Sequence, residues 1–127
     1  MTTRPVRILI VDEEPGLTDI VRRVLALEGW EATIAPSGAE AIEAVATLQP
    51  DVILLDVMLP DMLGTEVAAE LRATGVEAPI VFLTGRSEHE DRMAGYAAGG
   101  DEYLTKPFGL DELVALLEPI VRRVAAA

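Results

Sequence analysis

The residue that most clearly suggests chemistry is Lys106, the one lysine among 127 residues, in the string Tyr-Leu-Thr-Lys-Pro-Phe. The other nine cationic residues are arginines. A lysine ammonium is a compact charge on a flexible stem, whereas arginine presents a planar fork. A site for a single phosphate oxygen would favour lysine, and the alternative is an ordinary surface lysine in an arginine-rich chain.

Acidic residues close two of the apolar runs upstream. Asp12-Glu13-Glu14 follows the first run, and Asp56 ends the run Val52-Ile53-Leu54-Leu55. Parallel strands present their carboxyl ends at one edge of a sheet, so roughly three or four carboxylates are expected to converge there. Like charges raise one another's pKa, and a divalent cation relieves their repulsion. Hard oxygen ligands of this kind indicate Mg²⁺, although Glu14 is explained equally well as an acid that favours a helix dipole.

Two later runs bring a hydroxyl group and the lysine to the same edge. Thr84-Gly85 closes the fourth apolar run, and Thr105-Lys106-Pro107 closes the fifth. If Asp56 carries a phosphoryl group, its carboxylate is the nucleophile. Mg²⁺ and Lys106 would then neutralise the transferring oxygens, and Thr84 would donate a hydrogen bond to the product.

The elements that must position these residues alternate along the chain. Apolar runs predict five strands, at Val6–Val11, Ala32–Ala35, Val52–Asp56, Ile80–Thr84 and Glu102–Thr105. Segments with apolar residues three and four positions apart lie between them and predict helices. Ser37 followed by Glu40 fits a capping box for the second helix. The alternation predicts an α/β fold, with a doubly wound parallel sheet that has helices on both faces.

Composition excludes several other classes of protein. The net charge of −12 argues against a DNA-binding surface and predicts cations and basic protein surfaces as partners. The chain contains no cysteine, so no disulfide framework is expected. Without a signal peptide or an apolar run long enough to span a bilayer, the expected location is the cytoplasm.

Taken together, the motifs resemble those of response-regulator receiver domains of two-component signalling, which have the CheY-like fold. The resemblance covers residues 6–118 and rests on four strings, each of which closes a predicted strand: Ile-Val-Asp-Glu-Glu-Pro at 10–15, Leu-Asp-Val-Met-Leu-Pro-Asp-Met-Leu-Gly at 55–64, Leu-Thr-Gly at 83–85 and Gly-Gly-Asp-Glu-Tyr-Leu-Thr-Lys-Pro-Phe at 99–108. It implies a flavodoxin-like (βα)5 fold with strand order 2-1-3-4-5. Residues 1–127 would form a single receiver domain with its core at about 6–118, and residues 119–127 would be the end of the last helix or the start of a linker.

The resemblance also implies a phosphoacceptor site. Asp56 would accept a phosphoryl group from the phosphohistidine of a histidine kinase, with self-phosphorylation and autodephosphorylation as its only enzymatic chemistry. Mg²⁺, or Mn²⁺ in its place, would be bound by Glu13, Asp56 and the main-chain carbonyl of Met58, with Asp12 acting through water. Glu13 stands where the family usually has Asp, so a degenerate receiver that is not phosphorylated is an alternative.

Further roles follow from the same resemblance. Thr84 and Tyr103 would be the switch pair, in which the hydroxyl moves to the phosphate and the ring turns into the vacated space. Lys106 would contact a phosphate oxygen, and the Lys106–Pro107 bond is expected to be cis, because proline lowers that penalty. Met58 and Arg86 occupy positions that tune the lifetime of the phosphoryl group in this family.

The motif wording resembles the OmpR/PhoB-type transcription regulators, in which a winged-helix DNA-binding domain follows the receiver. This sequence contains no such domain, so it is interpreted either as the receiver of a longer regulator or as a stand-alone receiver that acts in a phosphorelay or by direct protein binding. Receivers of that type dimerise through charged pairs on the fourth helix, fifth strand and fifth helix. Here Leu116 and Glu118 replace basic residues of the fifth helix, and Pro119 is expected to end that helix or to cost roughly 3 kcal/mol.

An enzyme of the haloacid-dehalogenase group would also use an aspartate nucleophile on a parallel sheet. That group needs a second aspartate two residues after the nucleophile, and this chain has Met58 there. The sequence therefore disfavours a phosphohydrolase.

Overall fold

The structure of this chain is a computed structural model that describes residues 4–85 and 98–126. Within these residues, five strands and four helices follow one another along the chain. The strands are β1 (Arg7–Val11), β2 (Glu31–Ala35), β3 (Val52–Asp56), β4 (Ile80–Thr84) and β5 (Glu102–Thr105). The helices are α1 (Pro15–Leu27), α2 (Gly38–Leu48), α3 (Gly64–Ala73) and a C-terminal helix, α4 (Leu110–Ala126). The helix expected between β4 and β5 lies outside the described residues.

All five strands form one parallel sheet in the order β2-β1-β3-β4-β5. This confirms the predicted α/β fold and the strand order that the resemblance implied. Every residue of β3 and β4 is buried, as expected for central strands with helices on both faces. The order reverses between β1 and β3, which places the carboxyl ends of these two strands side by side.

Alternation along the strands divides the apolar core into two layers. Ile8, Ile10 and Leu54 face a layer completed by α1 and α4, whereas Leu9 and Leu55 face a layer completed by α2 and α3. Successive side chains of a strand point to opposite faces, so each strand supplies both layers. The sheet is thereby fixed on both sides, and its carboxyl edge is held as a rigid platform.

The C-terminal helix continues through Pro119 to Ala126, so of the two expected consequences of this proline the end of the helix is wrong, and an energetic cost is the one that remains. Ile120 and Val121, which follow the proline, are buried in the layer shared with α1. Burial of a large apolar side chain contributes roughly 1.5–3 kcal/mol, which offsets the roughly 3 kcal/mol cost of an interior proline. Packing against the sheet therefore overrides the local preference at this position.

The second helix begins after the predicted serine, with one of the two hydrogen bonds of a capping box. Ser37 is its N-cap, and the Ser37 hydroxyl oxygen accepts a hydrogen bond from the Glu40 backbone N–H at 3.2 Å.

None of the helices in the described ranges combines the length and apolar character that crossing a bilayer requires.

One arginine joins three segments at the amino-terminal edge of the sheet. The Arg72 guanidinium donates to the carbonyl oxygens of Val76 at 2.8 Å, Ala78 at 2.9 Å and Gly99 at 2.9 and 3.1 Å. It also pairs with the Asp101 carboxylate at 3.0 Å. The planar fork of arginine allows these bonds to form at once, so Arg72 connects α3 to the segments that lead into β4 and β5.

Arg72→Lys is expected to lower the free energy of unfolding by about 1–3 kcal/mol, because an ammonium group cannot reach all these acceptors and leaves carbonyl groups unsatisfied. Chemical denaturation monitored by circular dichroism measures this loss. Arg122→Lys, a substitution at an exposed position on α4, is the matched control and should leave stability nearly unchanged. Equal effects of the two substitutions would contradict the role assigned to Arg72.

Candidate functional site

Four strands deliver polar residues to one edge of the sheet. Asp56 and Thr84 are the last residues of β3 and β4, and Asp12 and Lys106 directly follow β1 and β5. Register places Asp56 beside Leu83, one residue before Thr84. Asp12, Asp56 and Thr84 are all buried, with 2%, 8% and 3% of their surface exposed. The sheet therefore assembles two carboxylates, a hydroxyl and an ammonium group in a sheltered place.

Lys106 lies between the two aspartates. Its ammonium nitrogen is 2.6 Å from Asp12 Oδ2 and 3.5 Å from Asp56 Oδ2. Its side chain is 21% exposed, and that of Asp12 is 1% exposed. An ordinary surface lysine would extend into solvent, so the alternative considered from the sequence does not fit this geometry.

The charges in this cluster alter one another's protonation. Burial raises the pKa of Asp56, the positive charge of Lys106 lowers it and the negative charge of Asp12 raises it again, so that the pKa of Asp56 is raised overall. Burial alone would lower the pKa of Lys106, but the hydrogen bond to Asp12 and the charge of Asp56 outweigh it and raise that pKa. At neutral pH, Lys106 therefore stays cationic, and ionised Asp56 is less favourable than an exposed aspartate.

Backbone donors hold the remaining carboxylate oxygens. Asp12 Oδ1 accepts from the Glu14 backbone N–H at 3.0 Å, and Asp56 Oδ1 accepts from the Met58 backbone N–H at 3.3 Å. These contacts leave the Asp56 side chain anchored on one oxygen and paired with the ammonium on the other. Such an anchored carboxylate presents a nucleophilic oxygen in a fixed position.

Fewer carboxylates converge than the sequence suggested. Glu13 is exposed, and within residues 4–85 and 98–126 no group of three or more His, Asp or Glu side chains is arranged to hold a metal ion. Asp12 and Asp56 both contact the ammonium group of Lys106, and the role of Glu13 as a metal ligand stays a prediction. The donor chemistry still fits Mg²⁺, which is commonly bound through one or two carboxylates with water completing its shell.

The remaining residues singled out from the sequence have different placements. The Thr84 carbonyl oxygen accepts from the Lys106 backbone N–H at 2.7 Å. The Tyr103 ring is half-buried and stacks on Phe82, with centroids 5.4 Å apart. The Lys106–Pro107 peptide bond is cis, as the resemblance implied. Arg86 lies outside the described residues.

The loop between β3 and α3, residues 57–63, carries contacts that the sequence did not reveal. Met58 and Leu63 form an isolated antiparallel bridge at its base. Both oxygens of Asp61 bind backbone amides of α2, from residues 22 and 23 positions earlier. A residue that caps a helix so far away in the sequence gives no local signal, which is why Asp61 was missed.

Gly64, which begins α3 after this loop, is in close contact with the backbone of Asp56. A Cβ atom at Gly64 would collide with the Asp56 carbonyl oxygen. This close approach explains why the motif ends in glycine: only a residue without a side chain lets α3 start beside the end of β3.

Gly64→Ala is expected to lower the free energy of unfolding by about 1–3 kcal/mol, because the methyl group forces the backbone around Asp56 apart. Gly16→Ala is the control, since a Cβ there meets nothing within 4 Å and alanine is the better helix former by about 1 kcal/mol. Urea denaturation of both variants checks the prediction, and a Gly64→Ala variant as stable as Gly16→Ala would refute it.

Asp56→Asn is expected to raise the free energy of unfolding at neutral pH, because it removes a buried negative charge. The raised pKa means that ionised Asp56 lowers stability at pH values above that pKa, and that this loss disappears as the pH falls towards the ordinary value of 3.8. The difference in the free energy of unfolding between Asp56→Asn and the unmodified protein should therefore be largest near neutral pH and should shrink on acidification.

Urea denaturation at several pH values measures this difference. Asp19→Asn removes the same charge from an exposed ion pair on α1 and controls for the overall negative charge, with little expected effect. A gain of equal size in both variants, or a gain that does not depend on pH, would contradict the assignment.

Known proteins match this chain along almost its whole length. The family model for the response regulator receiver domain matches residues 8–118. The transcriptional regulatory protein TrcR of Mycobacterium tuberculosis is 46% identical over 119 residues, which are 94% of this chain and 46% of TrcR. The probable transcriptional regulatory protein TcrX of the same organism is 47% identical over 120 residues, which are 94% of this chain and 51% of TcrX.

The chain thus spans about half the length of these curated relatives. Among solved structures, the chemotaxis protein CheY4 of Vibrio cholerae is similar, with a TM-score of 0.87 and 30% identity over 91% of this chain and 98% of that one. Fold, site geometry and sequence agree, and the chain belongs to the response regulator receiver domain family of two-component systems.

Proposed function

We propose that Asp56 is the phosphoacceptor of this receiver domain and takes its phosphoryl group from a phosphohistidine of a histidine kinase. The observation that carries this proposal is the ammonium group of Lys106, 2.6 Å from Asp12 and 3.5 Å from Asp56. Asp56 is thus a buried carboxylate with a cation beside it, and that cation would offset part of the negative charge that a phosphoryl group adds. The chain would act as an acceptor with slow self-phosphorylation and autodephosphorylation, and not as an enzyme that turns over a separate substrate.

The transfer is a single displacement at phosphorus. A carboxylate oxygen of Asp56 forms a bond to phosphorus while the bond between phosphorus and the imidazole nitrogen breaks. The bonding electrons stay on that nitrogen, and the imidazole leaves as the neutral base or takes up a proton. Lys106 then moves from the carboxylates to a phosphoryl oxygen, where its charge offsets the added negative charge. Thr84, buried at the end of β4, donates a hydrogen bond from its hydroxyl group to another phosphoryl oxygen.

Mg²⁺ is the proposed cofactor, with Mn²⁺ as an alternative. Glu13, Asp56 and the main-chain carbonyl of Met58 would hold it, with Asp12 acting through water. Bound there, the ion would neutralise charge on the phosphoryl oxygens and would relieve the repulsion between Asp12 and Asp56.

We further propose that phosphorylation acts on the face formed by β5 and α4. Tyr103 on β5 would turn towards the space left by Thr84, which links the phosphoryl group to this face. Because TrcR and TcrX are named as transcriptional regulators and are about twice as long as this chain, the face would control a DNA-binding output domain. A stand-alone receiver that acts through direct protein binding is the second candidate.

The contacts of that face argue against an ionic homodimer. Asp101, directly before β5, is already engaged within the chain, since its carboxylate accepts from the Ile80 backbone N–H at 2.8 Å and pairs with Arg72 at 3.0 Å. Leu116 is half-buried against the core, in place of a basic residue. Glu102 and Glu112 are exposed on β5 and in the first turn of α4, whereas the exposed basic residues Arg122 and Arg123 lie in its last turns.

Incubation with Mg²⁺ and acetyl phosphate, followed by intact-mass measurement, tests the acceptor. One phosphoryl group per chain is expected for the unmodified protein and for Asp19→Asn, and none for Asp56→Asn or when Mg²⁺ is chelated. Circular dichroism confirms that each variant is folded. An adduct that persists in Asp56→Asn would move the acceptor elsewhere, and a folded wild-type protein without any adduct would support the degenerate receiver.

A further inference from the structure

The loop of residues 57–63 is attached to a neighbouring helix through a single carboxylate. Asp61 Oδ1 accepts from the Gly38 backbone N–H at 2.8 Å, and Asp61 Oδ2 accepts from the Ala39 backbone N–H at 2.9 Å. These amides open α2 and have no partner within the helix. The Gly38 and Ala39 amides, in that order, lower the pKa of Asp61, so the carboxylate is ionised beside the positive end of the helix dipole.

The base of the loop is held by the sheet and by α3. The Val57 backbone N–H donates to the Leu83 carbonyl oxygen at 3.1 Å, and the Gly64 N–H donates to the Val57 carbonyl oxygen at 2.7 Å. The bridge between Met58 and Leu63 closes the base. The tip of the loop, which includes Asp61, extends beyond these bonds towards α2.

Apolar packing at the tip of the loop involves the same turn of α2 as the hydrogen bonds of Asp61. A Cβ atom at Gly38 would collide with the Met62 side chain, so Met62 lies directly on the first turn of α2. Asp61 and Met62 therefore contact the same turn, one through polar atoms and the other through apolar atoms. The start of α2 serves as a fixed anchor for the tip of the loop.

The base of the same loop carries atoms of the acceptor site. The Met58 backbone N–H holds Asp56 Oδ1 at 3.3 Å, and the Met58 carbonyl is a proposed Mg²⁺ ligand. A bond of that length is easily disturbed, so the orientation of the Met58 peptide groups depends on how firmly the loop is fixed. A release of the tip would alter both groups without any change in the acceptor itself.

We propose that Asp61 is a positioning residue for phosphoryl transfer: by chelating the first two amides of α2, it fixes the loop whose Met58 backbone orients Asp56 and the metal site. The inference rests on the proposed function for the chemistry that the loop serves. A residue that only capped the helix would stabilise α2 and leave the acceptor site unchanged. In the proposed role, loss of Asp61 alters the acceptor site as well.

The test compares Asp61→Ala with Ser37→Ala, which removes the other side-chain cap of the same helix without touching the loop. Amide hydrogen exchange is measured first, on metal-free protein. Exchange at Val57, Met58 and Gly64 should accelerate roughly threefold to tenfold in Asp61→Ala and stay unchanged in Ser37→Ala. Asp61→Asn keeps one acceptor oxygen and should give a smaller acceleration.

Mn²⁺ binding, followed by loss of the free-ion electron paramagnetic resonance signal, is the second measurement. The dissociation constant should rise roughly threefold to tenfold in Asp61→Ala and change little in Ser37→Ala. The rate of phosphorylation by acetyl phosphate at fixed Mg²⁺ should fall in the same order.

Identical exchange at the loop amides in Asp61→Ala and Ser37→Ala would overturn the inference and leave Asp61 as a helix cap alone. If the unmodified protein takes no phosphoryl group and binds no Mn²⁺, the proposed function fails, yet the exchange experiment still decides whether Asp61 fixes the loop. The two failures are thus distinguishable.

Discussion

The carboxyl edge of the sheet depends on the ion pairs that the Lys106 ammonium group forms with Asp12 and Asp56. Asp12 and Asp56 are brought together by strands that are neighbours at the reversal of strand order, and both are buried. Two carboxylates in such a place would repel each other and lack solvation, and the cation between them offsets both effects. The closer contact is with Asp12, so the ammonium is held mainly by Asp12 and only loosely by Asp56, the proposed phosphoacceptor.

The two-layered core explains why this arrangement is tolerated. Helices on both faces bury β3 and β4 entirely, and the resulting stability supports a site in which the pKa of Asp56 is raised by burial. The favourable packing lies in the centre of the sheet, and the unfavourable electrostatics lie at its carboxyl edge. The apolar packing that stabilises the fold and the charged groups of the site are therefore located in different parts of the same sheet.

Sequence patterns predicted the strands because burial on both faces leaves an unmistakable apolar run; Val52–Asp56 and Ile80–Thr84 were predicted without error. The patterns also placed Asp12, Asp56, Thr84 and Lys106 at one edge. The expectation that failed depended on tertiary contacts: the helix through Pro119 is maintained by burial of residues that follow it. The cap that Asp61 forms on α2 could not be predicted, because its partners lie more than 20 residues away.

The charges of Asp12, Asp56 and Lys106 are linked, and this restricts the order in which these residues can be lost during evolution. Loss of Asp56 leaves Lys106 paired with Asp12 at 2.6 Å, which is a neutral and satisfied pair. Loss of Lys106 first leaves two buried carboxylates with no cation between them, which is a costly intermediate. If Asp56 is the phosphoacceptor proposed above, a lineage that abandons phosphorylation has an easier path through loss of Asp56 than through loss of Lys106, and a relative that keeps the lysine without the aspartate would be a trace of that path.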